Sequence, residues 1–434
     1  MHYDILIKDC RALLLDGDWF FKDRVSIGVV AGRIVFVGST DDLPGYTCHR
    51  ELAGTGLCAM PGLVNGHAHN GMTLFRGMAD DLALMDWLTD HIFPAEAQFV
   101  SDEMVYWCTK LACAELLLSG TTTVADAYYY MDCACRAYDE SGIRAVAGHA
   151  VIDFPAPGVP DPARKITVVD EFIDRWQGHR RITPAVFAHS PYTCNAKTLQ
   201  DAKALAARKQ VPFFIHLAET KGEAGLLPVS GMSPVAYLDS LAVLDEQVTL
   251  VHGVWLSKDD IELIGARKSR VISCPRSNMQ LGSGMAPVAD LLAQGVAVGL
   301  GTDGPASNNS LDLFAEMDAC AKLAKVRSLD PVHGKGAEML HMATDMGASC
   351  LGLDDLGLLQ KGYRADLILV DANSPNLTPM YSPELLVYSG RGSNVHTVIV
   401  DGTLLVEDRN LLCMDVYEVM AKVQELAVAV QGKV

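Results

Sequence analysis

Two histidines one residue apart, in the segment PGLVNGHAHN at residues 61 to 70, are the first residues whose types and spacing suit chemistry. His67 and His69 follow an apolar run, and in an extended strand residues i and i+2 point to the same side. Two such imidazoles can converge on a metal ion, but a His-x-His pair also arises in ordinary polar loops. The pair therefore predicts metal binding only if further ligands come from elsewhere in the chain.

Further candidate ligands lie at the ends of later apolar runs: His189 in TPAVFAHS, His216 and Glu219 in VPFFIHLAE, His252 in VTLVHGVW and Asp303 in VAVGLGTDG. Three nitrogens and one carboxylate oxygen suit a borderline divalent ion such as Zn²⁺. We expect the ligands to be His67, His69, His216 and Asp303. We expect one zinc ion per subunit, with Fe²⁺ or another divalent ion as the alternative.

The remaining polar residues suggest a hydrolytic reaction. A catalytic zinc keeps one position open for water and lowers the pKa of that water to about 7, so that hydroxide can attack an sp² carbon. Glu219 is predicted to take the proton of the water and to pass it to a leaving group. His252 is predicted to hold the hydroxide and to stabilise charge at the attacked centre, and Asp303 to share in proton transfer.

Eight apolar runs, with helix-like stretches between them, must position these residues. The runs are GLVNGHAH, TTTVADAY, RAVAGHAV, TPAVFAHS, VPFFIHLAE, VTLVHGVW, RVISCPRS and VAVGLGTDG. Continuous hydrophobicity is typical of parallel strands buried on both faces, and eight units predict an α/β fold, a (β/α)8 TIM-like barrel, rather than an open doubly wound sheet. Since the carboxyl ends of barrel strands surround one mouth, we expect the polar residues to face a single pocket.

Both ends of the chain show the alternating pattern of β-strands. The patterns are YDILIKDC, RVSIGVVAGRIVFVGS, ADLILVDA and VHTVIVDGTLLVEDRN. Ala31-Gly32 and Asp401-Gly402 are placed where tight hairpin turns are expected. We therefore predict a small composite β-sandwich built from residues 1–60 plus 360–434, and a catalytic barrel of residues 61–359.

Composition restricts partners and location. The chain has 434 residues, of which 50% are hydrophobic, and a formal net charge of -18. This charge disfavours a nucleic-acid partner and favours a small neutral or cationic substrate. Twelve cysteines, mostly in apolar segments, are expected to be reduced.

The N-terminus lacks a signal-peptide pattern and no apolar stretch approaches the ~20 residues of a membrane span, so we expect a cytoplasmic protein without a membrane partner. Alanine-rich helices and the apolar surface candidates Trp87 and Phe93 point to a homo-oligomer.

Longer motifs resemble the amidohydrolase superfamily: PGLVNGHAHNGMTLFRGMADDLALMDWL, AHSPYTC, IHLAET, LVHGVWL and GTDGPASNNSLDLFAEM. They are most similar to the branch that contains 5-methylthioadenosine/S-adenosylhomocysteine deaminases, within the triazine hydrolase-like subgroup of metallo-dependent hydrolases. The resemblance covers nearly the whole chain. It implies hydrolysis of a C–N bond in a cyclic amidine: water adds to C6 of adenine, ammonia leaves and an inosine product results.

The resemblance also implies substrate-binding residues. Glu96, in HIFPAEAQF, matches a position that binds the ribose hydroxyls, and His189 matches a residue near the purine. Glu219 would contact the purine as the acid/base group. Ser307 lies where the loop after the eighth strand contacts substrate, although a serine there also suits a helix N-cap or a turn.

Two more positions bear on the substrate tail. Arg164 matches one of two arginines that reach the ribose side or a carboxylate-bearing tail in thermophilic-type members of the branch, whereas His149 stands where the other arginine would be. We expect His149 to line the pocket. Because a carboxylate prefers a bidentate guanidinium, this departure predicts that methylthioadenosine, 5′-deoxyadenosine or adenosine is preferred to S-adenosylhomocysteine.

Other functions remain open at this level. A deaminase or chlorohydrolase acting on another N-heterocycle, such as guanine, cytosine, a pterin or an s-triazine, would use the same scaffold. Glu219 favours deamination, since expelled ammonia needs a proton donor and chloride does not. A dinuclear amidase would need a bridging lysine in the fourth run, which has none. A non-catalytic scaffold protein is disfavoured because the metal ligands and the acid/base residues are all present.

Overall fold

A computed structural model describes residues 1–431, whose strands form two separate sheets. The strands, numbered along the chain, are β1 His2–Asp16, β2 Asp18–Val30, β3 Arg33–Ser39, β4 Thr47–Ala53, β5 Leu57–Pro61, β6 Leu63–Ala68, β7 Thr121–Tyr128, β8 Arg144–Val151, β9 Ile182–Ala188, β10 Phe213–Leu217, β11 Val248–His252, β12 Arg270–Ser273, β13 Val298–Leu300, β14 Leu367–Asp371, β15 Val395–Val400, β16 Thr403–Glu407 and β17 Asn410–Leu411.

Helices fill most of the chain between strands β6 to β13, which form one of the two sheets. The α-helices are α1 Leu84–Asp86, α2 Phe93–Phe99, α3 Asp102–Leu118, α4 Met131–Ser141, α5 Lys165–Trp176, α6 Ala196–Lys209, α7 Pro234–Ser240, α8 Lys258–Arg267, α9 Pro275–Gln280, α10 Val288–Ala293, α11 Pro305–Asn308, α12 Leu313–Ser328, α13 Gly336–Ala343, α14 Asp345–Cys350, α15 Glu384–Tyr388 and α16 Val416–Gln431. A π-helical segment, Trp87–Ile92, joins α1 to α2.

Strands β6 to β13 form an eight-stranded, all-parallel barrel in sequence order. An isolated parallel bridge between Ala68 and Asp303 joins its two ends, and the amide of Asp303 donates to the carbonyl of His67 at 3.0 Å. Each of the eight apolar runs identified in the sequence contains one of these strands. The predicted (β/α)8 barrel is therefore confirmed.

Burial explains why the barrel strands are continuously apolar. Every residue of β7 is buried, because one face points into the barrel interior and the other packs on helices. Small and branched side chains fill the interior around Phe187; they include Val64, Val146 and Ile272. The interior is thus a packed core that leaves only the mouth for chemistry.

Polar residues begin the barrel helices at defined positions. Ser101, Asn195 and Ser257 precede α3, α6 and α8, and each side chain accepts a hydrogen bond from the backbone N–H three residues later. These bonds satisfy amides that the first helical turn leaves unpaired. They fix where each helix begins after its strand.

The other sheet has nine strands from both ends of the chain, in the order β17-β16-β15-β14-β5-β1-β2-β3, with β4 paired to β1. The two predicted hairpins are present. Ala31 and Gly32 have φ of 51° and 76°, and Asp401 and Gly402 have φ of 52° and 73°. Positive φ at both central positions is the two-residue turn that matches strand twist.

The C-terminal helix bears on how the chain divides. Helix α16 belongs to the segment predicted as part of the composite β-domain, but it packs against α3 of the barrel. Val423 of α16 and Met104 of α3 belong to the same buried cluster. Leu111 of α3 packs against that cluster. The boundaries 1–60 plus 360–434 and 61–359 stay a prediction.

The cysteines are in the reduced state that the sequence predicts. The twelve cysteines are all free, and ten of them are buried, leaving Cys48 and Cys413 half-buried. Within residues 1–431, no helix combines the length and the apolar character that crossing a bilayer demands.

A buried ion pair connects the barrel to the terminal sheet. Arg144, at the start of β8, donates to both carboxylate oxygens of Asp366 at 2.8 and 3.0 Å. Both side chains are almost fully buried, with 3% and 2% exposed. Asp366 also accepts the amide of Asp401 at 2.7 Å, so the pair fixes β8 against the β15–β16 turn.

We expect Arg144→Ala to lower the free energy of unfolding by about 3–5 kcal/mol, because the carboxylate of Asp366 is left buried without its partner. Arg175→Ala is the matched control. Arg175 pairs with Asp132, but both side chains are roughly half exposed, and the loss should be below about 1 kcal/mol. Urea unfolding of the three proteins measures the difference, and equal losses would contradict the linking role of Arg144.

Candidate metal centre and active site

The predicted metal ligands meet at the carboxyl-terminal mouth of the barrel. His67 lies on β6, His69 directly after it, His216 on β10 and Asp303 after β13. The Nε2 atom of His67 is 3.2 Å from Nε2 of His69 and 3.2 Å from Nε2 of His216. Oδ1 of Asp303 is 3.3 Å from Nε2 of His67 and 3.4 Å from Nε2 of His69. The other three potential ligand atoms thus lie 3.2–3.3 Å from Nε2 of His67.

The donor set fits a divalent metal ion. The potential ligand atoms of His67, His69 and Asp303 lie within 4.8 Å of one another, and so do those of His67, His216 and His252. Two nitrogens held at about 2.0–2.1 Å from a tetrahedral zinc are roughly 3.3 Å apart, close to the observed separations. The set matches the ion by both atom type and spacing.

Hydrogen bonds at the other ring nitrogen orient the imidazoles. Nδ1 of His69 is 2.5 Å from the carbonyl of Ala127, and Nδ1 of His216 is 2.9 Å from the carbonyl of His189. Because these oxygens only accept, each Nδ1 must carry the proton, and each Nε2 keeps its lone pair for the metal.

Burial keeps the histidines neutral. It lowers the pKa of His67 to about 3, with the neighbouring His69 adding to the effect. Burial likewise takes the pKa of His216 well below its ordinary value. A neutral imidazole is the form that binds a metal ion, so the site does not need to lose these protons when it binds one.

Asp303 is held as a carboxylate. The hydroxyls of Ser277 and Ser307 donate to its Oδ2 at 2.6 and 2.9 Å, which leaves Oδ1 directed at the histidines. Burial acts to raise the pKa of Asp303, but the hydrogen bond from His67 and the nearby imidazoles hold it well below its usual range.

Glu219 and His252 face each other beside the ligands. Oε2 of Glu219 is 3.8 Å from Nε2 of His252, and Nδ1 of His252 is 3.0 Å from Oδ1 of Asn278. Burial raises the pKa of Glu219. Burial acts to lower the pKa of His252, yet the carboxylates of Glu219 and Asp303 hold it above its ordinary value. The two groups are therefore coupled: burial favours the protonated carboxyl of Glu219, whereas its carboxylate form favours the charged imidazole of His252.

Backbone strain is concentrated at this mouth. His252 and Asp303 have φ of 76° and 63°, in the left-handed region that costs a non-glycine residue energy. In both cases the residue ends a barrel strand or follows one. The unusual turn aims the side chain into the mouth instead of continuing the strand.

A cavity opens over the ligands, and its lining combines polar residues with apolar and aromatic ones. The polar part of the lining includes His69, His189, His216, Glu219, His252, Asp303 and Ser307. The apolar part, called the apolar wall below, includes Met72, Leu84, Trp87, Leu88, Ile92, Phe93 and Leu281. Apolar and aromatic side chains with a few polar groups are typical of sites that bind small organic molecules.

Glu96 is another residue of the cavity lining. Its side chain is buried, and Oε1 accepts from the hydroxyl of Tyr128 at 2.7 Å. Burial raises the pKa of Glu96 to about 7, although the bond from Tyr128 acts to lower it. Together with His189 and Ser307, it is one of the predicted substrate-binding residues that line the cavity.

Two predicted substrate-binding residues are not among those that line the cavity. The side chain of Arg164 is 61% exposed, and its guanidinium lies 3.7 Å from the carboxylate of Glu171. His149 is buried, but its ring packs against Phe172 and its Nδ1 is 3.2 Å from the carbonyl of Ala150. The last part of β8 turns this side chain toward α5, so this arrangement supports no substrate contact from either residue.

Sequence reasoning missed the residues that support the site. Asn278 orients His252, Ser277 orients Asp303 and Tyr128 holds Glu96. Their positions carried a usable signal, because Tyr128 ends the second barrel strand and Ser277 and Asn278 follow the seventh. These two strand ends contributed no residue to the prediction, although every strand of a barrel opens at the same mouth.

Comparisons with known proteins agree with this geometry. The family model described as Amidohydrolase family matches residues 58–405. A 5-methylthioadenosine/S-adenosylhomocysteine deaminase of Syntrophobacter fumaroxidans is 44% identical over 428 residues, which cover 98% of each chain. A protein of the same name from Pelotomaculum thermopropionicum is 42% identical over 433 residues, again covering 98% of each chain.

Solved structures extend the comparison. An adenosine deaminase from Xanthomonas campestris with bound zinc superposes with a TM-score of 0.97, at 33% identity and over 99% of each chain. An atrazine chlorohydrolase from Arthrobacter aurescens complexed with zinc has a TM-score of 0.90 at 23% identity, covering 98% of this chain and 100% of the other. The latter likeness is one of fold.

The buried Glu96 should make stability depend on pH. Below pH ~4.5 it is protonated in both the folded and the unfolded chain, whereas above its folded pKa of about 7 the fold must hold a buried charge. Glu96→Gln cannot ionise, so we expect it to be more stable than the wild type by up to roughly 3 kcal/mol at pH 8, with the gain fading toward pH 5. Urea unfolding at both pH values measures this. Glu103→Gln, an exposed position, is the control, and a gain independent of pH would contradict the assignment.

Proposed function

This chain belongs to the amidohydrolase family, and we propose that it is a metal-dependent hydrolase that deaminates adenine nucleosides. Several relatives that are 39–44% identical over nearly the full chain are named 5-methylthioadenosine/S-adenosylhomocysteine deaminases. The observation that carries the proposal is the convergence of the ligand set, Glu219 and His252 on one cavity. The enzyme acts on the C–N bond of a cyclic amidine.

A divalent metal ion belongs to this site, and zinc is the ion we propose, held by His67, His69, His216 and Asp303. When bound, zinc lowers the pKa of a coordinated water to about 7 and so supplies a nucleophile at neutral pH. The protein holds the ligands in place through the hydrogen bonds at Nδ1 of His69 and His216 and at Oδ2 of Asp303. These bonds mean that little reorganisation is needed when the ion binds.

Glu219 moves the protons of the reaction. Burial raises the pKa of Glu219, so Oε2 is a stronger base that can accept a proton from water and deliver it to the purine and then to the departing nitrogen. Overall, the reaction consumes one water, breaks the C–N bond at C6, forms one C=O bond there and releases one ammonia. His252, held by Asn278, donates from Nε2 to the oxygen that adds to C6 and stabilises the charge there. Asp303 would share in this proton transfer.

The cavity walls support a nucleoside as the substrate. Glu96, held by the hydroxyl of Tyr128, suits the ribose hydroxyls, and His189, whose Nδ1 is 2.8 Å from the hydroxyl of Thr193, suits the purine. Ser307 reaches the cavity, but its hydroxyl already donates to Asp303, so we assign it the support of that carboxylate as well.

The apolar wall favours an uncharged 5′ substituent. Within residues 1–431, the cavity lining includes no lysine or arginine, and its charged residues are Glu96, Glu219 and Asp303. A carboxylate-bearing tail would find no guanidinium there, whereas a methylthio group would pack on Met72, Leu84 or Trp87. We therefore propose 5′-methylthioadenosine as the preferred substrate, with 5′-deoxyadenosine and adenosine accepted. Cytoplasmic location and a homo-oligomeric state stay predictions. Trp87 and Phe93, which were expected at the surface, line the cavity, so they do not support an oligomer.

Changing Glu219 tests the mechanism. We expect Glu219→Gln to lower kcat for ammonia release by about 10²–10⁴-fold, because the amide cannot carry the proton. Zinc content should be unchanged, since Glu219 is not a ligand. The control is Glu246→Gln on the exposed surface, which should keep full activity. A loss of less than tenfold in the Glu219 variant would remove it from the mechanism.

A screen for released ammonia tests the substrate. We expect kcat/KM for methylthioadenosine to exceed that for S-adenosylhomocysteine by about tenfold or more, the factor that corresponds to losing roughly 1.4 kcal/mol of tail binding. Guanine, a pterin and an s-triazine chloride serve as the alternative substrates. A preference for S-adenosylhomocysteine would contradict the argument from the apolar wall. Turnover of a free base or a triazine in place of nucleosides would contradict the nucleoside assignment itself.

A further inference from the structure

A second cluster of potential metal ligands lies on the terminal sheet and shares no residue with the barrel mouth. His2, Asp4 and His49 offer ligand atoms within 4.8 Å of one another. His2 and Asp4 are two residues apart on β1, and His49 is on the parallel neighbour β4. The register pairs His2 with Thr47 and Tyr3 with Cys48, which places His49 level with Asp4. The three side chains therefore share one face of two adjacent strands.

The two imidazoles approach each other as the histidines of the catalytic site do. Nε2 of His2 is 3.0 Å from Nε2 of His49, and the rings are edge-on with centroids 4.4 Å apart. For His67 and His69 the same two measures are 3.2 and 4.6 Å, also edge-on. This separation is near the roughly 3.3 Å expected for two nitrogens on one tetrahedral zinc.

Neighbouring groups fix the orientation of the cluster. Nδ1 of His2 is 2.8 Å from the hydroxyl of Thr47, which can accept its proton and leave the lone pair on Nε2. The Asp4 carboxylate accepts the amide of Ala31 through Oδ2 at 2.6 Å, so Oδ1 is left for another partner. His69 and His216 are oriented in the same way: Nδ1 is hydrogen-bonded to a protein oxygen, and Nε2 is left for a metal ion.

The cluster is accessible to an ion, and an ion bound there would hold two strands together. His2 and His49 are exposed, and Asp4 is half-buried, so water can complete the coordination. Strand β4 pairs only with β1 among the strands of the described chain. An ion shared by His2 and His49 would therefore bind the outer strand to the N-terminal strand at a place where only one ladder holds it.

We propose that His2, Asp4 and His49 form a second divalent metal site, of the zinc class, that clamps β4 to β1. Two imidazoles and one carboxylate match a borderline ion and not Ca²⁺ or Mg²⁺, which prefer all-oxygen sites. The site is structural, and it is independent of the proposed deaminase chemistry because none of its residues lines the cavity.

The test counts zinc in the full-length protein, prepared without an added affinity tag and dialysed against micromolar Zn²⁺. We expect about two zinc ions per chain in the wild type and about one in His49→Ala and in His2→Gln. The matched control is His333→Ala, another exposed histidine with a carboxylate, that of Asp330, 3.7 Å away. It should keep both ions, and all three variants should keep the hydrolytic activity.

Amide hydrogen exchange in residues 47–53 gives a second measurement. Zinc should slow exchange there in the wild type, and it should have no effect there in His49→Ala, because the clamp is absent. Equal zinc counts in the wild type and His49→Ala, or an equal loss in the His333 control, would overturn the proposal. Since the comparison is between variants with an intact barrel mouth, the result does not depend on whether the catalytic site is assigned correctly.

Discussion

Closure of the parallel barrel between its first and last strands is the constraint on which the site depends. The amide of Asp303 donates to the carbonyl of His67, and Ala68 bridges to Asp303 beside it. This backbone pairing brings residues that are more than two hundred positions apart in sequence to within 3.3 Å. Once the strands close, the residues at their carboxyl ends surround the mouth, although not every side chain there points into it, since His149 turns toward α5. The ligand set is thus a consequence of strand pairing.

The cost of gathering these groups is met by burial and hydrogen bonding together. Neutral imidazoles cost less to bury than charged ones, and burial itself keeps His67 neutral. Asp303 stays charged because two serine hydroxyls and the neighbouring rings favour its carboxylate. The positive φ of His252 and Asp303 stores strain that the surrounding barrel must offset. The result is a cluster of groups preorganised for a cation, with Glu219, the proton carrier that we propose, beside His252.

The fold alone does not decide which reaction this site performs. A chlorohydrolase shares the architecture with a TM-score of 0.90 at 23% identity, while relatives that are 39–44% identical are named as nucleoside deaminases. What separates these chemistries is the content of the cavity. In the function that we propose, Glu219 supplies a proton for an amine leaving group, Glu96 adds a further buried carboxyl, and the described cavity lining contains no lysine or arginine.

The sequence by itself determined the barrel, because eight continuously apolar runs, each ending in a turn, suit only strands that are buried on both faces. It also predicted the ligand types, since these strand ends fall at one mouth in any such barrel. Only the tertiary structure decided that His149 turns toward α5, that Arg164 pairs at the surface and that Asn278 orients His252. Periodicity reports the strand end to which a residue belongs, but the direction of a side chain beyond that end depends on contacts with distant segments. The same reason hid the pairing of His2 with His49, which exists only because β1 and β4 lie side by side.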